Sequence, residues 1–319
     1  MWQQYVGEIS GVLAALSWAG ASLVFSRAPI RAAALNFFKN SLSTLLLFGT
    51  LAVGAVASGA AIFHYAPHAW CWLALSAVSG LFIGDYCYFR CIQILGPRRA
   101  LLVAMTVPPL GAVSGWFFLG EAMDLYTAVG MMVTLNGIAW VIRERTVVDE
   151  RPGLYPGSAR RGLAFGLSAA LCQALGAAFS KLGMNAESFP GIAIDAARPE
   201  LAALEASFLR IGCASLCGLA LGLMTRELAS WARSLRPASL AFRVSAAALV
   251  GTYGGIWLSL TAFKYAPVAV ATTCTSLAPV FVLPLVRYCH GTRVSWRAVA
   301  GALIALAGVW IVSGGGRAN

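Results

Sequence analysis

The same hydrophobic pattern occurs twice in this chain, and this duplication limits the folds that the chain can adopt. Residues 95–109 have a counterpart at 265–279, and residues 130–140 have one at 301–310, so the two copies lie about 170 residues apart. Both copies are almost wholly apolar. Two apolar halves of this kind are typical of membrane proteins that are built from an internal repeat.

The composition favours a membrane protein over a soluble one. Hydrophobic residues make up 59% of the chain, charged residues only 11%, and the mean hydropathy is +0.77, whereas soluble domains carry about 25% charged residues. Apolar segments that can supply the roughly 20 residues of a transmembrane helix lie at about 8–27, 36–57, 70–90, 100–118, 125–142, 162–183, 206–225, 242–262, 268–288 and 297–314. We therefore predict an all-α integral membrane protein with ten transmembrane helices. A membrane barrel would instead show shorter segments of alternating polarity.

The placement of Lys and Arg predicts how the chain crosses the membrane. The formal net charge is +11, and cytoplasmic loops collect basic residues. The loops after odd-numbered helices hold Arg27, Arg31, Arg98, Arg99, Arg143, Arg145, Arg151, Arg160, Arg161, Arg226, Arg233, Arg236, Arg243, Arg287, Arg293 and Arg297. The other side has only Lys181, Arg198, Lys264 and Arg317. We therefore predict cytoplasmic odd loops and extracytoplasmic termini. Because topology explains these arginines, we predict a lipid bilayer as the partner and no nucleic acid.

The repeat divides the chain into two similar halves. We predict a first five-helix repeat at 1–145, a basic cytoplasmic linker at 146–161 and a second five-helix repeat at 162–316. Five is an odd number, so the second half should enter the membrane in the opposite sense to the first. Such an inverted repeat places a substrate site between the halves near the midplane and permits alternating access.

Several short elements carry a family resemblance, and some of them recur about 170 residues further along the chain. They are Gly84-Asp85 leading through Phe89-Arg90 to Gly96-Pro97, Pro108-Pro109 and Ala278-Pro279, Gly120-Glu121, and the Gly-rich helices that end near Trp140 and Trp310. With these elements the chain resembles the ten-helix EamA group of the drug/metabolite transporter superfamily over nearly its whole length. One departure is Gly291-Thr292, where the family usually has a second Gly-Glu.

The resemblance implies a central cavity lined by the first, third, fourth, sixth, eighth and ninth helices. The polar and aromatic residues at those places are Trp18, Ser22, Tyr88, Thr106, Gln173, Tyr253, Trp257 and Thr275. Gln173 is the most informative of them, because an amide inside an apolar helix needs hydrogen-bond partners from a substrate or another helix. For the aromatic residues, packing against lipid is the alternative.

Ionisable residues inside the spans are costly and are therefore candidates for function. Asp85 could bind a cation or a proton, or it could be a structural partner for Arg90 or Lys39. Lys39 and Arg210 occupy matching places in the two halves. They either snorkel to the headgroups or turn inward, where they would favour a substrate with a carboxylate or a phosphate.

The second half has a longer connection, at 186–205, between its first two helices. It holds Glu187, Asp195, Glu200 and Glu205 against Arg198 alone. Its two interpretations are a surface loop and a gate over the substrate path.

The sequence has no pattern that supports a cofactor or a familiar enzyme. The eight cysteines and three histidines do not have the spacing of zinc sites, and there is no phosphate-binding Gly-Lys-Ser loop and no Gly-x-Ser-x-Gly nucleophile motif. We therefore expect no metal, no cofactor, no ATP-driven transport and no enzymatic activity.

We predict a secondary transporter in the cell membrane, which is the inner membrane if the source is bacterial. It would export a small metabolite such as an amino acid or a related carboxylate. Proton-coupled efflux of cationic drugs is the alternative within transport, and a membrane scaffold or sensor that moves nothing is the alternative of another class. One chain holds both halves, so a monomer could form the complete pathway, and a dimer is also compatible with the sequence.

Overall fold

The protein is described from a computed structural model, which covers residues 5–25, 27–58, 67–95, 100, 103–143, 158–184, 199–282, 285 and 296–315. Within these ranges the regular structure is helical, and no strand is present. The helices are α1 (Val6–Phe25), α2 (Ala32–Ser58), α3 (Pro67–Ser76), α4 (Asp85–Leu95), α5 (Val107–Leu119), α6 (Leu125–Arg143), α7 (Ala159–Met184), α8 (Pro199–Met224), α9 (Leu228–Ser234), α10 (Ala238–Ala247), α11 (Gly255–Tyr265), α12 (Val268–Thr275) and α13 (Trp296–Gly315).

Continuous apolar sequence explains why the chain is helical, because backbone groups in lipid must find their hydrogen-bond partners within the segment. Six helical stretches are long and apolar enough to cross a membrane. Four shorter apolar helices fall on the remaining predicted segments, at Val107–Leu119, Leu125–Trp140, Val268–Val282 and Val299–Val312. The prediction of an all-helical membrane protein is confirmed. The exact count of ten spans stays a prediction.

The seventh predicted segment is longer than its hydropathy indicated. Helix α8 begins at Pro199, so Glu205, which we assigned to the connection at 186–205, belongs to a helix and is only 2% exposed. The interpretation of the connection as a surface loop is therefore wrong for its last residues. Residues 186–198 of that connection lie outside the described residues.

Two helices contain a π-helical segment at the same place in each half. The segment π1 (Ala77–Gly84) joins α3 to α4, and π2 (Ala248–Gly254) joins α10 to α11. Their first residues are 171 positions apart, which is the period of the sequence repeat. Segments of this kind are rare and occur mostly at functional sites.

Helices α2 and α8 show that the repeat is inverted. The Phe37 ring contacts the Gly218 side of α8, and the rings of Phe48 and Phe208 lie 5.9 Å apart. The residue numbers therefore rise along α2 while they fall along α8, so the two equivalent helices are antiparallel. An inverted relation between the halves requires this arrangement.

The last helices of the two halves, α6 and α13, are packed closely against each other. A Cβ atom on Gly130 would meet Val312, and one on Gly137 would meet the backbone of Ala305. This pair is also antiparallel, and its glycines allow the two backbones to approach each other. The prediction that the chain consists of two inverted repeats is confirmed, while the number of five membrane spans in each stays a prediction.

Small residues fill the interior, and large apolar residues cover the outside. Alanine dominates the buried core, for example Ala14, Ala15 and Ala19 on α1. Large side chains such as Trp310 and Phe117 are mostly exposed. This distribution is the reverse of a soluble protein's and is typical of a helix bundle surrounded by lipid tails.

The bundle is closed at the end where α1 begins, which we call the closed end. Here a Cβ atom on Gly7 would meet Ala266, and one on Gly11 would meet Cys274. Helix α12 begins at this end, and all of its residues are buried. The opposite end, where α1 ends and α7 begins, is called the cavity end.

Candidate functional site

A cavity of about 260 Å³ lies between the two halves. Its walls come from the C-terminal part of α1, from π1 and α4, from the N-terminal part of α7, and from π2, α11 and α12. Phe25, Ile92 and Ala100 line the cavity toward the cavity end. The first turns of α1 at the closed end do not contribute to the lining that the structure describes.

Seven of the residues predicted for the site lie in the cavity wall. They are Trp18, Ser22, Lys39, Asp85, Tyr88, Gln173 and Thr275. They come from α1, α2, α4, α7 and α12, and thus from both halves. Most of the remaining lining is apolar and includes the rings of Phe25 and Phe89.

The most polar feature of the cavity is an ion pair between Lys39 and Asp85. The Lys39 Nζ and Asp85 Oδ2 atoms lie 2.6 Å apart, and Lys39 Nζ also lies 5.9 Å from the centre of the Phe89 ring. The alternative in which Lys39 and Arg210 snorkel to the membrane surface is wrong, because each residue is only 4% exposed. The interpretation of Asp85 as a partner of Lys39 is confirmed in this geometry.

Gln173 connects this ion pair to the opposite half of the protein. Its Nε2 atom donates a hydrogen bond to Asp85 Oδ1 at 2.8 Å and approaches the carbonyl oxygen of Gly80 at 3.3 Å. The amide therefore has the partners that its place in an apolar helix demands. Both carboxylate oxygens of Asp85 are engaged, one by Lys39 and one by Gln173.

Two asparagines of α2 hold Lys39 and the π1 segment together, and the sequence prediction missed them. Lys39 Nζ donates to Asn40 Oδ1 at 3.0 Å, and Asn40 Nδ2 donates to Asn36 Oδ1 at 3.1 Å. Asn36 Nδ2 then donates to the carbonyl oxygen of Leu81 at 2.9 Å. Two buried amides one helical turn apart, next to a lysine in an apolar helix, are the signal that could have revealed this network.

Trp18 of the first half contacts π2 of the second half, just as Gln173 of the second half contacts π1 of the first half. Its Nε1 atom donates to the carbonyl oxygen of Gly251 at 2.9 Å, and Gly251 lies 171 residues after Gly80. The first helix of each half thus donates a side-chain hydrogen bond to the π segment of the other half. Both Trp18 and Gln173 belong to the cavity wall.

Three of the predicted lining residues point elsewhere. Thr106 donates to the carbonyl oxygen of Val103 at 2.7 Å within its own turn, and Tyr253 lies 2.9 Å from the hydroxyl of Thr50. Trp257 packs against the hydrophobic core. The structure does not bring these three residues into the cavity wall. Segment boundaries alone do not specify the direction in which a side chain points, so the sequence could not show this.

The two predicted arginines also lie outside the cavity wall. Arg90 Nη1 lies 3.4 Å from Gln93 Oε1, and its guanidinium is 5.8 Å from the centre of the Phe165 ring. Arg210 is buried beside π1, where its Nη2 atom would lie 3.2 Å from a Cβ atom on Gly80. Its Nε atom has no hydrogen-bond partner among the described residues.

The arrangement is suited to binding a solute that combines a charged group with an apolar body. Among the residues that the structure describes, no group of three His, Cys, Asp or Glu side chains comes together as a metal site would require. The polar groups of the wall can bind, orient and shield a solute. A cavity between inverted halves that holds an intramembrane ion pair is typical of membrane-transporter folds.

Comparison with known proteins identifies the family. The model of the EamA-like transporter family matches residues 5–143 and 160–314, and the chain belongs to this family of small-molecule membrane transporters. A search of curated proteins finds no match. Among solved structures 27 chains match. One of them, described only as the crystal structure of a protein, is 14% identical, has a TM-score of 0.69, and is matched over 98% of this chain and 99% of its own. At this identity the likeness supports the fold alone.

Proposed function

We propose that the protein is a secondary transporter that exports a small amphipathic carboxylate, such as an amino acid or a related acid, by alternating access through this cavity. The observation that carries the proposal is the Lys39–Asp85 ion pair in the wall of a mostly apolar cavity. Charges within membrane spans are expensive and mark the pathways of polar solutes.

The size of the cavity supports a small substrate. Its volume of about 260 Å³ is near the lower limit of small-molecule sites, which measure roughly 300–1,000 Å³. A metabolite with a short side chain fits this space. A large multi-ring drug would require the walls to move apart.

The wall also supports a particular orientation of the substrate. The ammonium of Lys39 can donate hydrogen bonds to a carboxylate, and such charge-assisted bonds are strong in a poorly hydrated site. Trp18, Phe25 and Tyr88 offer ring surfaces to the apolar part of the substrate. If the substrate is an amino acid, the same ring faces can accept its ammonium group.

The direction of transport rests on the predicted topology. The cavity extends toward the end where α1 ends and α7 begins, and the excess of arginine predicts that this end is cytoplasmic. A cavity that reaches toward the cytoplasm can be loaded from there. This favours export, with release at the closed end after that end opens.

Proton-coupled efflux of cationic drugs is the second candidate, and the presence of Asp85 in the wall favours it. A cationic drug would have to displace Lys39 from Asp85. It would then leave Lys39 as a buried cation without its carboxylate, which is costly in a low-dielectric site. For this reason the carboxylate proposal has the stronger physical support.

The test is counterflow in sealed vesicles that contain the purified protein. Vesicles loaded with one unlabelled solute are diluted into labelled solute, using amino acids, their 2-keto acids, sugars and cationic dyes in turn. We expect uptake driven by carboxylates, strongly reduced by Lys39→Met and unchanged by the surface control Arg233→Met. Uptake of dyes alone, lost with Asp85→Asn, would support drug efflux. Binding without flux of any solute would support the scaffold or sensor.

A further inference from the structure

Arg210 is a buried cation that forms no ion pair with any carboxylate in the described part of the chain. It is only 4% exposed, and its Nε atom has no acceptor in the described part of the chain. An arginine cannot lose its proton in a protein. A buried N–H donor without an acceptor is unfavourable, so the Nε atom of Arg210 points to a partner that arrives during the working cycle.

The anion nearest to this guanidinium in the network is Asp85. Arg210 interacts electrostatically with Asp85, yet the two oxygens of Asp85 bond Lys39 and Gln173. Gln173 also approaches the carbonyl oxygen of Gly80, beside which the guanidinium lies. Asp85 is therefore a single carboxylate between two cations, and it bonds only one of them.

The backbone before Asp85 is suited to movement. The π1 segment ends at Gly84, directly before Asp85, and π segments place one additional residue in a helical turn. A Cβ atom at position 80 would crowd Arg210 Nη2, and one at position 84 would lie 3.5 Å from Gln173 Nε2, so both glycines leave space beside these polar groups.

We propose that Arg210 is the alternative partner of Asp85: the substrate's carboxylate takes Lys39, and Asp85 then pairs with Arg210. This step rests on the proposed function, because it requires a carboxylate in the cavity. In the empty site Asp85 bonds Lys39, and Arg210 forms no ion pair with a described residue. In the occupied site both cations have a carboxylate.

The charge balance narrows the class of substrate. The three groups carry a net charge of +1, so a substrate with one carboxylate and no other charge neutralises the site completely. The ammonium group of an amino acid is then not required. Leucine and its 2-keto acid, 4-methyl-2-oxopentanoate, should both bind, the keto acid at least as tightly as leucine. Leucinamide, which has no carboxylate, should not bind.

The decisive experiment compares Arg210→Met with Lys39→Met in the purified protein. Thermal unfolding is measured without ligand, and 4-methyl-2-oxopentanoate binding is measured by calorimetry. Because Arg210 forms no ion pair with a described residue when the site is empty, Arg210→Met should leave the unfolding temperature unchanged or raise it, while weakening binding at least tenfold. Lys39→Met should lower the unfolding temperature and also weaken binding, since it leaves Asp85 without its cation. The surface variant Arg233→Met should change neither quantity.

A double-mutant cycle isolates the proposed pair. In an Asp85→Asn background, Arg210→Met should no longer weaken binding, because the partner of the guanidinium is gone. The proposal is overturned if Arg210→Met lowers the unfolding temperature of the empty protein, fails to fold, or binds the keto acid like the wild type. If the wild type binds no carboxylate, the proposed function fails, and the unfolding temperature of Arg210→Met still decides whether Arg210 already has a partner in the empty state.

Discussion

Glu121 of the first half clamps two elements of the second half at the closed end. Its Oε1 atom lies 2.6 Å from Lys181 Nζ, and its Oε2 atom accepts a hydrogen bond from the backbone N–H of Val268 at 2.8 Å. Val268 begins α12, so a carboxylate from the other half compensates the positive end of this helix. Lys181 also donates to the carbonyl oxygen of Ala266 at 2.7 Å.

We predict that Glu121→Gln opens the closed end more often. The variant loses the ion pair, and hydrogen bonds to charged groups contribute about 1.5–3 kcal/mol each, so opening should increase roughly tenfold or more. The native Cys274, buried beside Gly11, is the reporter when the other cysteines are replaced. Its rate of alkylation by a small maleimide should rise accordingly. Asp124→Asn is the control, because Asp124 lies in the same loop but accepts a local hydrogen bond from Thr127. Equal rates in wild type and Glu121→Gln would contradict the clamp.

The partners of Glu121 could not be predicted from the sequence. The Gly-Glu motif was visible, but its partners Lys181 and Val268 lie 60 and 147 residues further along the chain. Only the packing of α5 against α7 and α12 brings them together. A Cβ atom on Gly115 would collide with the Glu121 carboxylate, so a glycine at this position leaves room for that side chain.

A second prediction concerns the packing of α6 against α13. Gly137→Ala would place a Cβ atom within 2.8 Å of backbone atoms of Ala305. Because a backbone cannot rotate away as a side chain can, the helices must separate, at a cost of about 1–3 kcal/mol for overpacking. We expect a lower unfolding temperature. Gly49→Ala in α2 is the matched control, since its Cβ would meet nothing within 4 Å, and it should be neutral or stabilising. Equal unfolding temperatures for the two variants would disprove the close contact.

The period of the repeat predicted most of the architecture. Once two halves of five apolar segments are recognised, the antiparallel orientation of α2 to α8 and of α6 to α13 follows from the odd number of segments, whereas the contacts between these helices do not. The π segments could not be predicted, because Gly80 and Gly251 are also compatible with a regular helix. The burial of Lys39 could not be predicted either, since a lysine near a helix end usually reaches the headgroups. In the structure its bonds to Asp85 and Asn40 hold it inside.

A third prediction addresses the wall of the cavity. Trp18→Phe removes the hydrogen bond to the Gly251 carbonyl and part of the ring surface. The smaller ring also loses apolar contact with the substrate, and a loss of about 1 kcal/mol of such contact raises the dissociation constant of a transported carboxylate roughly fivefold. Trp257→Phe is the control, because Trp257 packs in the core outside the cavity. Calorimetric titration of both variants tests this expectation, and equal affinities would remove Trp18 from the site.

The last prediction concerns the orientation of the protein, on which the direction of transport depends. Sixteen basic residues on one side against four on the other predict that the loop with Thr225 is cytoplasmic and that the loop with Met123 is extracytoplasmic. Both residues are exposed, so each can be replaced by cysteine in a cysteine-free variant. A membrane-impermeant maleimide should label position 123 in intact cells, and position 225 only after the cells are permeabilised. The reverse labelling would place the cavity end outside the cell. Because the cavity would then be loaded from outside, the same ion pair and the same walls would support import instead of export.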